Sequence, residues 1–290
     1  MQEKNMIHWL KVSLFYLLPH HALSRLVYWA ARSHRFPLRM VFTRWFVHRY
    51  KVDMSEAQDA DLDAYPDFNS FFTRALRLGA RTFVQGAGEI ACPNDGAVSQ
   101  VGTIDGDQIF QAKGHSFSVV DLLGGSEERA LPYIGGSFAN MYLSPGDYHR
   151  YHMPLSGRLV ETVYIPGRLF SVAHDFTQSV PNLFARNERV VCIFETEAGP
   201  MAVVLVGAMF VGSIETVWAG EFTPPSRKGI EVKNYDMLAP VTLERGDELG
   251  RFNMGGSTVI ILFTPGRAQW QTGLAPESRV KLGQLIGKVH

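Results

Sequence analysis

Ser257 follows two glycines and opens an apolar run: Met254-Gly255-Gly256-Ser257-Thr258, then Val259-Ile260-Ile261-Leu262-Phe263. Glycine tolerates backbone angles that other residues avoid. A tight segment ahead of a β-branched strand could therefore turn the serine hydroxyl back onto its own upstream carbonyl, which permits self-cleavage. The plainer reading is a hairpin turn entering a buried strand, and the pentapeptide alone favours it. Acid–base partners are available elsewhere. His149 and His152 lie three apart in Tyr142 to Pro154, a spacing that shares a face on a helical turn and opposes the rings on an extended chain. Pro93-Asn94-Asp95-Gly96 presents a carboxylate on a turn, where turn chemistry is the ordinary explanation. His115, in Gln111-Ala112-Lys113-Gly114-His115, is a weaker candidate. A carboxylate, a histidine and a serine from distant segments can converge into a base-activated nucleophile, here in the order Asp95, His152, Ser257. No Gly-x-Ser-x-Gly elbow occurs, which disfavours an α/β-hydrolase.

The elements that must position these residues divide the chain in three. Residues 1–52 carry nine lysines or arginines against the single acidic Glu3, a net +8, so the rest of this formally neutral chain sums to −8. Trp9, Phe15, Tyr16, Tyr28, Trp29, Phe36, Trp45 and Phe46 are interleaved with those cations, which favours an anionic lipid surface over nucleic acid as partner. Apolar spacing predicts helices over 6–18, 22–32 and 38–50, with Pro19 between the first two and the arginines of the third snorkelling above an apolar face. The apolar stretch Val12 to Leu18 is too short to span a bilayer and lacks a signal-peptide cleavage site. The protein is expected to lie on a membrane. Packing of these helices on the body is the competing explanation.

Residues 53–87 read as an acidic connector followed by a short helix over 70–77, capped by Asp67 or Asn69. From 88 to 290 the texture is short β-branched runs separated by Gly, Pro, Asn and Asp, at 96–102, 108–112, 158–165, 189–195, 201–206, 209–217 and 257–263. Few helical intervals intervene, apart from short ones expected within 118–123 and 171–185. The fold class is α+β, with a compact antiparallel body of barrel or sandwich type rather than βαβ units. Cys92 and Cys192 have no neighbours at metal-ligand spacing, so disulfide frameworks and zinc sites lose support and a reducing compartment is expected.

Taken together, these segments resemble the phosphatidylserine decarboxylase family, in its bacterial membrane-associated form. The matching stretches are Phe68 to Arg74, Pro93 to Gly96, Gln111 to His115, Tyr142 to Pro154, Val180 to Arg189, Val211 to Gly220 and Gly250 to Phe263. Their collinearity is far more specific than any one of them. The familiar Leu-Gly-Ser-Thr of close relatives stands here as Met254-Gly255-Gly256-Ser257-Thr258, with Gly-Ser-Thr intact.

The resemblance implies a barrel-sandwich hybrid body with N-terminal amphipathic helices at the cytoplasmic face of the cell membrane. It also implies a precursor cut between Gly256 and Ser257 into a β-chain of residues 1–256 and an α-chain of residues 257–290. Asp95 and His152 would make Ser257 nucleophilic for that single event, leaving a covalent pyruvoyl group (a bound pyruvate) in place of Ser257. The ketone would form a Schiff base with phosphatidylserine, His149 would assist proton transfer, and phosphatidylethanolamine would be released, with two α/β units pairing as a homodimer. No metal is implied. The alternatives are a pyruvoyl decarboxylase of a soluble amino acid, which the basic aromatic end opposes, and an unprocessed membrane-bound β-domain.

Overall fold

The computed structural model describes residues 15–16, 18–34, 38–112, 114–211, 213–222, 229–235, 238–255 and 257–290. At its centre is the strand Ser257–Phe263, all seven residues of which are buried. An unbroken β-branched and aromatic run suits a strand packed on both faces. It pairs antiparallel with Gly199–Val206 on one side and Ser137–Leu143 on the other. The sheet continues outward through Arg189–Thr196, Gly157–Ile165 and Glu231–Asn234 in one direction, and through Gly96–Thr103 and Arg279–Val280 in the other. Thr242–Leu243 adds a further strand on Gly157–Ile165. Among the described residues the two outermost strands do not pair with each other, so the sheet is open and not a closed barrel. The body is nonetheless β-rich and antiparallel, and the class is α+β as expected.

A second sheet of four strands runs Gly220–Glu221, Ser213–Thr216, Glu248–Asn253 and Arg150–His152. Its strand ending at Asn253 leads, through Met254 and Gly255, into the central strand of the large sheet. That corner is where the two sheets meet in sequence.

Helices His20–Ala31 and Arg39–Tyr50 fall close to the predicted 22–32 and 38–50; the helix expected over 6–18 lies almost wholly outside the described residues. The Arg39–Tyr50 helix is not one-sided. Phe46 packs against Phe68, Phe71 and Phe72, while Val41 and Trp45 on the same helix stay 65% and 52% exposed. Leu26, Trp29 and Leu38 are also exposed. None of the described helices is long and apolar enough to cross a membrane.

The helix predicted over 70–77 is instead Phe68–Phe72, N-capped by Asp67, whose carboxylate accepts the Ser70 N–H at 2.7 Å. It stops early because its last polar groups find partners elsewhere. Thr73 donates its hydroxyl back to the Asn69 carbonyl at 2.8 Å, and the Thr73 carbonyl accepts from Arg150 Nε at 2.9 Å. The strand expected over 209–217 shortens to Ser213–Thr216, and the helical expectation for 171–185 resolves into His174–Thr177 and Leu183–Arg186.

Candidate active site

Local backbone geometry makes the corner before Ser257 unusual. Met254 and Gly255 both adopt left-handed angles, φ 67° and 82°. Glycine accepts this freely, whereas a methionine there is strained. Gly255 is also the only residue type that fits: a Cβ would sit 2.5 Å from the Val211 nitrogen and 2.6 Å from the Phe210 carbonyl carbon. Ser257 then enters the central strand opposite Leu143. Its hydroxyl is fully buried with no hydrogen-bond partner among the described residues. Leaving a hydroxyl buried and unsatisfied costs about 1–3 kcal/mol, so the arrangement is not one that stability alone would select.

The two histidines occupy different surroundings. Arg150–His152 is a strand, which excludes the shared helical face. The His149 ring is completely buried, 4.0 Å from the Phe72 ring centre, and its Nδ1 hydrogen-bonds the Asp147 carbonyl at 2.8 Å. A carbonyl partner assigns the proton to Nδ1, which leaves Nε2 as a lone pair, buried and without a hydrogen bond. Burial pulls the His149 pKa down to about 4, against the opposing pull of the Asp147 carbonyl and charge and of the nearby Gly255 backbone. The ring is therefore neutral at pH 7 and faces the corner that precedes Ser257.

His152 donates from Nδ1 to the Gly246 carbonyl at 2.8 Å and accepts at Nε2 from the Tyr148 hydroxyl at 3.2 Å. Burial again lowers its pKa. Tyr148 is itself buried, which raises its pKa and keeps the donor protonated. Asp95 is buried in the turn before Gly96–Thr103 and accepts from Arg81 through Nε at 3.0 Å and through a terminal nitrogen. It also accepts the Leu282 N–H at 2.8 Å. Gly96 beside it is required by a close approach, since a Cβ would lie 2.1 Å from the Tyr142 carbonyl oxygen.

The structure thus brings His149 to the corner before Ser257. Among the described residues no hydrogen bond joins Asp95 to His152, or His152 to Ser257. His115 hydrogen-bonds the Gln178 carbonyl at 3.1 Å and no group of this site, and Lys113 and Gly256 lie outside the described residues. Tyr148 and Arg81 carried no role in the sequence reading. Both stand in or near the quoted motifs, but only a fold shows that they hold His152 and Asp95.

Beside the corner lies a cavity of about 520 Å³, lined by Phe42, Trp45, Phe46, Phe72, Tyr142, Met209, Phe210, Met254 and Gly255 among others. Apolar walls dominate, with the helices Arg39–Tyr50 and His20–Ala31 on one side and the sheet corner on the other.

Comparison with known proteins bears on what such a site is for. Residues 68–288 match the family model described as phosphatidylserine decarboxylase, and residues 10–51 match a second one described as PSD. A phosphatidylserine decarboxylase proenzyme of Ectopseudomonas mendocina is 57% identical over 277 residues, covering 95% of this chain and 96% of the relative. One from Pseudomonas aeruginosa is 58% identical over 275 residues, covering 93% and 94%, and one from Pseudomonas putida is 57% identical over 275 residues, covering 94% and 95%. A match that spans the corner, both histidines and Asp95 leaves one conclusion: the chain belongs to the phosphatidylserine decarboxylase family.

Proposed function

We propose that this chain decarboxylates phosphatidylserine to phosphatidylethanolamine and prepares itself for that reaction by cutting its own backbone between Gly256 and Ser257. One observation carries the reading: the Ser257 hydroxyl is buried and unpartnered among the described residues, immediately behind a left-handed corner, with the buried His149 ring close to the Gly255 backbone of the same corner. Ser257 Oγ attacks the Gly256 carbonyl carbon while a base takes the hydroxyl proton, and the Gly256–Ser257 amide becomes an ester. Elimination across the Ser257 Cα–Cβ bond releases the Gly256 carboxylate and leaves dehydroalanine. Its imine tautomer is hydrolysed to ammonia and a pyruvoyl amide. Asp95 and His152 are proposed to serve this single event and His149 the later proton transfers.

The residues present fit such a group: it would form from the Cα and Cβ of Ser257, whose hydroxyl, the atom that would leave with the Gly256 carboxylate, has no competing partner among the described residues, next to the constrained Gly255 corner. Its ketone supplies an electrophile for the substrate amine and an electron sink for the pair left by carbon dioxide. His149, neutral and held by Asp147, is poised to accept and return a proton at Nε2. The apolar cavity excludes water and takes the acyl chains.

Cleavage would not release the 34-residue α-chain. Val259 to Phe263 are fully buried between two strands, and burying five such side chains is worth roughly 7–15 kcal/mol gross. The exposed Leu26, Trp29, Leu38, Val41 and Trp45 support peripheral docking on the cytoplasmic face of the cell membrane, where the cavity lined by Trp45 meets lipid. Pairing of two α/β units completes the proposal and is read by sedimentation.

Intact mass under denaturing conditions tests the cut. Two fragments are expected, the smaller beginning at residue 257 with a blocked amino terminus, and Ser257→Ala gives one uncut chain. A Ser257→Ala protein still split at this bond refutes the nucleophile. Among processing variants, His152→Gln and Asp95→Asn are expected to accumulate precursor, whereas His149→Gln is cut but fails to release carbon dioxide from phosphatidylserine vesicles. The reverse pattern would exchange the two histidine roles.

A further inference from the structure

Three arginines near Asp95 and the histidines are committed to carboxylates, and Arg39, which lines the cavity, donates to the Tyr65 carbonyl at 2.7 Å and to the Pro66 carbonyl. Arg81 holds Asp95 and Glu56, Arg150 holds Glu248 at 2.8 Å, and Arg279 holds Asp147 at 2.5 Å. Arg74 is only 6% exposed, yet among the described residues its side chain makes no ion pair and no hydrogen bond, and its Nε is fully buried without a partner. Among the described residues the guanidinium instead lies over the Phe71 ring, 5.5 Å from its centre. A cation–π contact recovers little of what burying an arginine without an anion costs.

The position of Arg74 is fixed by what precedes it. Asn69 Nδ2 donates to Asn253 Oδ1 at 3.0 Å, one residue before the corner. Phe72 lies on the His149 ring, and the Thr73 carbonyl is taken by Arg150. The carboxylates whose charge reaches Arg74 are Asp95 and Glu56, and both are engaged by Arg81, with Lys281 at 3.7 and 3.5 Å from them as well. Three cations thus share two carboxylates, leaving one positive charge over. Arg74 in turn is one of the groups that depress the His149 pKa, after burial.

We propose that Arg74 receives the phosphodiester of the phospholipid headgroup, an assignment that rests on the phosphatidylserine decarboxylase reading above. The substrate offers two oxyanions. A guanidinium on the carboxylate would stabilise the ground state most, because that charge departs as the reaction proceeds. The phosphodiester keeps its charge throughout, and the planar guanidinium fork matches it. Phe72, two residues before Arg74, lies on the His149 ring and lines the cavity, so the Arg74 segment runs beside the groups proposed to meet the substrate.

The test uses the full chain in two forms. In the uncut Ser257→Ala precursor, adding Arg74→Gln is expected to weaken binding of phosphatidylethanolamine in mixed detergent micelles by about 10- to 100-fold, the usual loss for a hydrogen bond to a charged group. In the processed enzyme the same change raises KM for phosphatidylserine by a similar factor and alters kcat less. Arg74→Lys, which keeps the charge and loses the fork, falls between. Phosphatidylethanolamine carries the phosphodiester and no carboxylate. If its affinity is unchanged within twofold while that for phosphatidylserine falls, the carboxylate is the ligand and the assignment is overturned, as it is if neither affinity moves. Should Arg74→Gln fail to fold, Arg74→Lys decides: folded with wild-type product affinity, it overturns the proposal, and with weakened affinity it supports it. A wild-type enzyme that releases no carbon dioxide from phosphatidylserine would instead refute the activity reading, independently of Arg74.

Discussion

Replacing Gly255 by alanine isolates the corner as the device that presents the bond to be cut. The substitution has two costs. An L-residue at φ 82° loses about 1–2 kcal/mol relative to glycine. The added Cβ would also meet backbone atoms at 2.5 and 2.6 Å, which no rotamer change can relieve, so the 254–255 segment has to shift, with an overpacking cost of about 1–3 kcal/mol. A total of roughly 2–5 kcal/mol falls short of the stability of most domains, so the protein stays folded with a melting temperature lower by about 4–20 °C. The shift acts on the residues flanking the scissile bond, where a displacement near 1 Å is worth about 100-fold in rate. Gly266→Ala is the matched control. Its φ is 69° but nothing lies within 4 Å of the added Cβ, so it bears the backbone cost alone. Time courses of precursor conversion, followed by denaturing electrophoresis and intact mass, are expected to show Gly266→Ala cut at the wild-type rate and Gly255→Ala slowed by about two orders of magnitude. Conversion of Gly255→Ala within threefold of wild type refutes the claim that corner geometry controls the cut.

Three other outcomes follow from the same structure. His149 is neutral when folded down to about pH 4 and takes its proton near 6.5 when unfolded, so the unfolded state binds more protons between these values. Its contribution is intact above about pH 6.5 and is lost as pH falls to about 4, roughly 3 kcal/mol in urea-unfolding free energy that His149→Gln should remove from the pH profile. Arg81→Met leaves Asp95 buried without its main cation and is expected to cost about 3–5 kcal/mol and slow the cut, while Lys281→Met, at a side chain 58% exposed, changes the urea midpoint little. Trp29→Glu and Val41→Glu, at residues 70% and 65% exposed, should each reduce partition onto anionic vesicles at least about tenfold without altering precursor conversion.

Much of the frame is legible in the residues. The central strand is announced by Val259 to Phe263, the helices near 20–31 and 39–50 by their apolar spacing and Pro19, and the cap of the Phe68–Phe72 helix by Asp67. Other parts leave no local trace. Ser137–Leu143, the strand paired with Ser257 to Phe263, contains no β-branched residue and went unmarked as a strand, as did Glu248–Asn253, which carries charges into a sheet. The Phe68–Phe72 helix stops where it does because Arg150, distant in sequence, satisfies the Thr73 carbonyl.

The sequence by itself determined the chemistry available: one serine behind two glycines, a pair of histidines, an aspartate on a turn, and motifs whose collinearity names the family. Tertiary structure decided how those groups are disposed. Pairing between distant strands sets His149 against the corner before Ser257 while Tyr148 and Gly246 occupy His152, and it engages Asp95 with Arg81 and Leu282. It also leaves Arg74 buried with no carboxylate of its own. Hydrogen bonds and ion pairs are contests among all groups within a few ångströms, and which groups come that close is fixed by long-range registry that no single stretch of chain encodes.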